Sequence, residues 1–345
     1  MIQTVSSRRP SLTGTLLAIV GLALLVWQVR LVGLDHIGDG FKAVGWRGFL
    51  AILGLSLFRF AARSMAWITL IGRPVPLSSA TAATISGDAL GNLSFLSLLV
   101  SEPAKAFYVT RHAPAAEAFA ALTAENFFYS VSVASVILGG TITLLATFVV
   151  PDSLRVALWF SLAVMAGVLA AAVWLARSRP ALAAVARSAS TALARRFLSR
   201  APGPRVAGWL DQLERVETRT YSALSASPWR LGVVIACEAA FHLASIAEAW
   251  LTLWFLSRAG GLGTGSATLL NAFLLDTVNR FINVAFRAVP LRVGVDEVTT
   301  SGFTEMLGLG SAAGLTLALV RKARMLVWAG VGLGLLGRRA IRRIL

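Results

Sequence analysis

Apolar positions run unbroken for long stretches of this chain, and polar positions gather between these runs or at a few points inside them. With a window of about 19 residues, the runs fall at Leu12 to Val29, Gly48 to Ile71, Ala115 to Val149, Leu154 to Ala176, Trp229 to Leu256, Thr299 to Val320 and Met325 to Leu336. Crossing about 30 Å of hydrocarbon leaves the backbone no water to bond to, so such runs are read as helices that satisfy their own amides. Two more stretches, Ser78 to Val100 and Gly265 to Val289, are apolar enough to enter a membrane. Each nonetheless carries Asp, Asn, Gly or Arg where a plain span would not. Segments interrupted in this way, at matching places in two halves, point to re-entrant or broken helices that line a binding site. The pattern predicts an all-α polytopic membrane protein with about 7–9 membrane segments, two of them re-entrant.

One long polar stretch divides the chain. It gives an N-terminal membrane half (1–176), a basic linker (177–228) and a C-terminal membrane half (229–345). The linker holds Arg177, Arg179, Arg187, Arg195, Arg196, Arg200, Arg205, Arg215 and Arg219, and such a density of arginine is retained on the cytoplasmic side. Leu182, Val185, Ala189, Leu193 and Phe197 recur at near-helical spacing, which predicts a basic amphipathic helix at the membrane face. With the linker inside and both interrupted segments re-entrant, each half reads span, re-entrant segment, span, span. The halves then have opposite orientation, the inverted repeat of alternating-access transporters. This arrangement puts Arg338, Arg339, Arg342 and Arg343 outside, whereas a second segment that crosses fully returns them to the cytoplasm. Both topologies stand at this point.

Composition changes the picture mainly by exclusion. Of 345 residues, 57% are apolar and 14% charged, too few charges to clothe a soluble domain of this length. The net charge of +16 would suggest nucleic acid in a soluble protein. Here no aromatic-basic RNA-binding pattern or zinc-ligand spacing accompanies it, and basic loops against anionic lipid account for the sign. Cys237 is the single cysteine, so there is no disulfide framework. Arg8 and Arg9 precede the first apolar run as in a signal peptide, but no small-residue cleavage site follows, and the run is read as a retained span. No Gly-x-x-x-x-Gly-Lys-Ser/Thr occurs, so no nucleotide is expected, nor any other cofactor.

The candidate chemistry lies in the charges within the apolar runs. Each costs at least about 2.5–3.5 kcal/mol at the bilayer centre unless paired or wetted, so several together imply a polar cavity. One set is Asp88, Asn92, Glu102, Lys105, Arg111, Glu117 and Glu125; the other is Asp276, Asn279, Arg280, Arg287, Arg292, Asp296, Glu297, Arg321, Lys322 and Arg324. In both halves an Asn precedes a Pro by eleven residues, Asn92 to Pro103 and Asn279 to Pro290. Guanidinium groups and helix N-terminal amides suit a phosphate. Asn92, Glu102, Lys105, Arg111, Glu125, Asn279, Arg292, Glu297, Arg321 and Arg324 are therefore the expected substrate contacts. Glu102, Glu297, Lys105, Arg292, Arg321 and Arg324 are expected to line one headgroup cavity. On that reading Glu297→Gln spares folding and stops lipid movement, whereas Glu248→Gln does much less. Arg59 and Arg63 stand four apart on one helix face, for snorkelling, structural pairing or headgroup binding. Glu238, His242 and Ser245 share another face and read as a hydrogen-bonded polar patch, with no metal expected.

These residues resemble the lysylphosphatidylglycerol synthase transmembrane-region family, also called flippase-like, which includes hopanoid-associated proteins. The resemblance runs from about Arg59 to Trp328. The family's Gly-Glu-Pro-x-Lys/Arg-Ala followed by Arg is similar to Ser101-Glu102-Pro103-Ala104-Lys105-Ala106 with Arg111, and its Glu-Arg pair falls on Glu125-Asn126. Its Pro-x-x-x-Gly-Val-x-Glu, then Leu-Gly-Leu and a basic cluster before Leu-x-Trp, resembles Pro290 to Glu297, Leu307-Gly308-Leu309 and Arg321 to Trp328. This chain departs at Ser101 and Asn126. No aminoacyl-transferase domain is expected after Leu345, so the resemblance implies lipid translocation, with aminoacylated phosphatidylglycerol, hopanoids and polyprenyl-linked sugars all open.

The leading expectation is thus a flippase moving a phosphate-bearing or polyprenyl/hopanoid-type lipid across the inner membrane. The alternative is an intramembrane transferase or phosphatase with Glu102 and Glu297 as general acid and base. A third class is a non-catalytic organiser of lipid biosynthesis. A membrane lipid is the expected partner, and a second copy of the chain or lipid-biosynthesis enzymes are candidates; nucleic acid is not.

Overall fold

The computed structural model describes residues 34–93, 97–177, 227–259, 267–286 and 292–344, with positions 218 and 289. The expected first span and almost the whole basic linker lie outside them, as do Arg287 and Pro290. Among the described residues there are nine helices and no strand: α1 (Leu34–Ile71), α2 (Leu77–Leu93), α3 (Ser97–Tyr108), α4 (Ala115–Thr147), α5 (Asp152–Arg177), α6 (Pro228–Arg258), α7 (Leu269–Ala285), α8 (Val295–Met306) and α9 (Ser311–Ile344).

Among the described residues, four stretches are long and apolar enough to cross a membrane: Phe41–Ile71, Ala115–Thr147, Leu154–Trp174 and Pro228–Arg258. They coincide with four of the expected runs. α1 breaks at Gly45, whose φ of 57° only glycine adopts cheaply, so the span proper begins near Trp46. It ends at Gly72, also left-handed (φ 71°), with Pro74 following to prevent resumption. α4 tolerates its many hydroxyls because they bond backward within the helix: Thr123, Ser130, Ser135, Thr141 and Thr143 each donate to the carbonyl four residues earlier at 2.7–2.9 Å. α5 turns Val156, Trp159, Phe160 and Trp174 outward. In water such a face would be an aggregation site; in a bilayer it is solvated by acyl chains.

Among their described residues, both interrupted segments are mainly helical. α2 and α7 have 17 residues each, and each precedes a helix of 12 residues, α3 and α8. At 1.5 Å per residue, 17 residues rise about 25 Å, short of a full hydrocarbon crossing of about 30 Å. The asparagines do not correspond, since Asn92 is the sixteenth residue of α2 and Asn279 the eleventh of α7. The shared Asn-to-Pro spacing therefore marks no equivalent place in the helices.

The run Thr299 to Val320 is not one span. It is cut between α8 and α9, where Gly308 (φ 73°) and Gly310 (φ 81°) turn the chain. Leu307-Gly308-Leu309-Gly310 reads as apolar on any hydropathy scale, yet two left-handed glycines end one helix and start another. α9 then runs 34 residues and absorbs the expected span Met325 to Leu336.

The described residues form two compact units that interleave along the chain. One comprises residues from Met1–Gly54, Asp88–Val100 and Ile246–Leu345, and the other comprises Leu55–Gly87 and Ser101–Ser245. The second unit has an alanine-rich core of Ala66, Trp67, Ala80, Ala83, Ala106, Ala118, Ala121 and Val234. Small side chains let helix backbones approach, the usual basis of packing where lipid removes the hydrophobic drive. Gly87 belongs to the same device, since a Cβ there would lie 2.9 Å from the Ser101 carbonyl and collide with Lys105.

In the first unit, Val44, Ile52 and Val320 pack with Phe49, Leu251 and Phe255, and α8 folds against α9. Gly314 sets their distance. A Cβ there would lie 2.5 Å from the Thr300 carbonyl and 2.6 Å from Ser301 Cα, both backbone atoms of α8 that cannot rotate away. Gly314→Ala is expected to destabilise by about 1–3 kcal/mol or more through overpacking. Gly302→Ala, with nothing within 4 Å, should stabilise α8 by about 0.5–1 kcal/mol. Thermal unfolding in detergent checks both, and equal behaviour of the two variants would overturn the close-contact account.

Candidate functional site

In the second unit α1, α4 and α6 carry a seam of polar groups. Glu125, Tyr129 and Ser132 repeat at four- and three-residue intervals on α4, and Glu238 and His242 stand four apart on α6. Helical periodicity therefore aims each set along one face. Arg63 forks onto Glu125, with Nε donating to Oε1 at 2.7 Å and Nη2 to Oε2 at 3.0 Å, and its guanidinium lies 4.3 Å from the Tyr129 ring centroid. This bidentate geometry is the strongest available to an ion pair. Arg59 sits 4.6 Å from the Phe241 ring centroid, a cation–π contact. The polar seam continues as Ser132 Oγ donates to Glu238 Oε2 at 3.1 Å and meets His242 Nε2 at 2.8 Å.

α3 contributes its own pair, Lys105 Nζ donating to Glu102 Oε1 at 3.1 Å, with both residues buried. An i,i+3 spacing on one helix makes this partnership local. Arg111, by contrast, is exposed in the turn after α3. At the other end of that turn Arg73 grips the Glu117 carboxylate at 2.6 and 3.1 Å, and this hydrogen-bonded charge raises the Arg73 pKa further above its ordinary value.

In the first unit the charges converge on the start of α8. Gly294, held at φ 84°, donates its N–H to Glu297 Oε2 at 2.8 Å, which caps the helix. The other oxygen of Glu297 takes the Lys322 ammonium from α9. Asp296 receives the Thr300 hydroxyl at 3.2 Å and stands 4.0 Å from Arg321, whose Nη2 reaches the Leu275 carbonyl of α7 at 3.4 Å. Lys322 also reaches the Arg292 carbonyl, and the Arg292 side chain lies against Met325 Sδ at 3.6 Å. Arg292 itself has φ 49°, an uncommon left-handed setting for a side-chain-bearing residue. Two more pairs complete the set, Arg280 with Asp276 at 2.7 Å and Arg324 with Glu248 at 3.0 Å.

Of the expected substrate contacts, Glu102 and Lys105 are brought together within the second unit, where Glu125 is taken by Arg63. Arg292, Glu297 and Arg321 cluster at the start of α8, while Arg324 goes to Glu248 and Asn92 and Asn279 are half-buried on α2 and α7. The partner of Glu297 is Lys322, outside the expected set. Its contacts also argue against the expectation that Glu297 is neutral for folding, and Glu248 is no bland control, because it holds Arg324. Ser132 also reaches the Tyr129 carbonyl of its own helix at 2.9 Å, as a serine in an apolar helix ordinarily does, so sequence alone does not single it out; its seven-residue interval from Glu125 is the available signal. Among the described residues no group of three or more His, Cys, Asp or Glu could hold a metal ion.

Buried ion pairs on long apolar helices in both units define an α-helical membrane protein with polar machinery inside its spans. The chain belongs to the lysylphosphatidylglycerol synthase TM region family, whose family model matches residues 12–334. No curated protein and no solved structure matches the chain. Membership makes a lipid-related membrane function the frame for these charges.

Proposed function

We propose that the protein translocates a lipid with an anionic, phosphate-bearing headgroup across the cytoplasmic membrane, using an inverted repeat of about 7–9 membrane segments in which α2 and α7 are re-entrant. The observation that carries this reading is the start of α8, where Arg292, Arg321 and Lys322 outnumber Asp296 and Glu297 beside a helix N-terminus. One excess positive charge and the positive end of the helix dipole favour an incoming anion. Two features support the re-entrant reading: the matched helix lengths of α2 with α3 and α7 with α8, and the Asp276–Arg280 pair buried within α7. Within the first unit, Arg292 and Arg321 would meet the phosphate, Asn279 a remaining headgroup oxygen, and Glu297 would hold the cations when no lipid is bound.

The test is reconstitution into phosphatidylcholine vesicles containing a trace of fluorescent phosphatidylglycerol, with a membrane-impermeant quencher added outside. The expected result is that the quenched fraction rises from about half toward completeness, because inner-leaflet lipid reaches the outer face. Arg321→Gln should slow this. Unchanged quenching relative to protein-free vesicles would overturn translocation of that lipid. Chemical conversion of the lipid in detergent micelles would instead establish an intramembrane transferase or phosphatase.

A further inference from the structure

The polar seam of the second unit contains an arrangement that phosphate binding does not use. His242 and Glu238, on successive turns of α6, are both buried, and Ser132 of α4 stands within hydrogen-bond distance of each. A serine hydroxyl has one proton to give and lone pairs to receive. The Ser132 hydroxyl lies within donating distance of the Tyr129 carbonyl at 2.9 Å and of Glu238 Oε2 at 3.1 Å; with the proton turned to Glu238, its oxygen accepts from His242 Nε2–H at 2.8 Å. The imidazole is held in place for this, parallel to the Tyr129 ring at 6.5 Å and edge-on to Phe241 at 5.4 Å. The order of contacts excludes a nucleophilic triad, in which the carboxylate orients the imidazole and the imidazole faces the serine. Here the carboxylate faces the serine.

We propose that His242, Ser132 and Glu238 form a proton relay that loads and releases one proton within the membrane. In the transfer step the His242 Nε2–H bond breaks as an O–H bond forms on Ser132, while the original Ser132 O–H bond breaks and its proton joins Glu238 Oε2. Imidazolium and carboxylate become imidazole and carboxylic acid, with no other reactant. The loaded relay is net neutral in either form, and the empty relay carries one negative charge. Hydrocarbon thus favours loading, whereas a neighbouring cation favours release. The groups that face the relay supply that bias. α1 presents Arg59 over Phe241 and Arg63 over Tyr129, α4 presents Glu125 bonded to Arg63, α6 adds Cys237, and α5 contributes Met165 and Leu169 beside Tyr129, neither of which titrates. Any movement of Arg63 away from Glu125 would alter the field on the relay. Coupling of the proton to lipid movement rests on the translocation reading; the relay itself does not.

The experiment uses the full chain in phosphatidylcholine vesicles between about pH 5 and 8, where a histidine changes charge. The His242 ring nitrogens are followed by solid-state NMR, and the protonated carboxyl band removed by Glu238→Gln is followed by infrared spectroscopy. Coupled groups titrate as a pair, so both signals should change along one curve. Ser132→Ala should split them into two, and Ser132→Thr, which retains a hydroxyl, should keep one. Circular dichroism establishes that each variant is folded. Separate curves in the unaltered protein, or one curve persisting in Ser132→Ala, would overturn the relay. In the quenching assay, Ser132→Ala should lose any stimulation by an imposed pH gradient. If no lipid moves while the two signals still titrate together, the translocation reading fails and the relay stands.

Discussion

Glu125→Ala is expected to cost the folded protein about 3–5 kcal/mol, the penalty for stranding one partner of a buried ion pair. The geometry is what makes the pair so consequential. Glu125 is 1% exposed, both of its oxygens are taken by Arg63, and that guanidinium is pressed against Tyr129. Removing the carboxylate strips the buried Arg63 cation of its bidentate partner and leaves it beside the Tyr129 and Phe241 rings and the Asn126 oxygen at 3.4 Å. The reverse variant, Arg63→Met, should cost a similar amount by leaving the carboxylate. Combining Arg63→Met with Glu125→Leu should restore most of the loss, since well-packed apolar side chains replace a buried pair at little net cost. Thermal unfolding in detergent, followed by tryptophan fluorescence and by monodispersity on gel filtration, supplies the three numbers. Additive losses in the double variant would show that the two residues act independently and that the pairing carries no stability.

How much of this was legible in the sequence follows from the range of each interaction. The apolar runs of α1, α4, α5 and α6 needed only composition over a window, and so did the conclusion that the chain lives in a membrane. Glu102 with Lys105 and Asp276 with Arg280 lie within one helical turn, where spacing alone brings charges together. Arg63 and Glu125 are 62 positions apart, and nothing local says which of several internal carboxylates the arginine meets. In the same way Arg321, Lys322 and Arg324 read as one basic cluster, but 100° of rotation per residue sends them to Asp296, Glu297 and Glu248 respectively. The turn at Leu307 to Gly310 stayed hidden because hydropathy registers glycine as neutral and is blind to φ. The family motifs were legible as strings, and their physical content emerged only in contacts. Glu297 of the Gly-Val-x-Glu string is a helix cap and an ion-pair partner before it is anything else.

That last point sets a direct expectation. Glu297 is fully buried, and its two oxygens have different duties: one caps α8 by accepting the Gly294 N–H at 2.8 Å, and the other holds the Lys322 ammonium. Glutamine keeps the shape and can still accept the capping bond, so Glu297→Gln should lose the charge alone. Lys322, itself 8% exposed, then loses its carboxylate, and the loss should approach about 3–5 kcal/mol. Glu297→Ala gives up the cap as well, for a further loss of about 0.5–2 kcal/mol. Lys322→Met combined with Glu297→Gln should recover much of the first loss, whereas Lys322→Met combined with Glu297→Ala should still lack the cap. The ordering unaltered, Gln, Ala in thermal stability is therefore the expected outcome, with the double variant above either single change. Should Glu297→Gln melt with the unaltered protein yet fail to move lipid, the pairing would be dispensable for folding, and Glu297 would belong to headgroup handling instead.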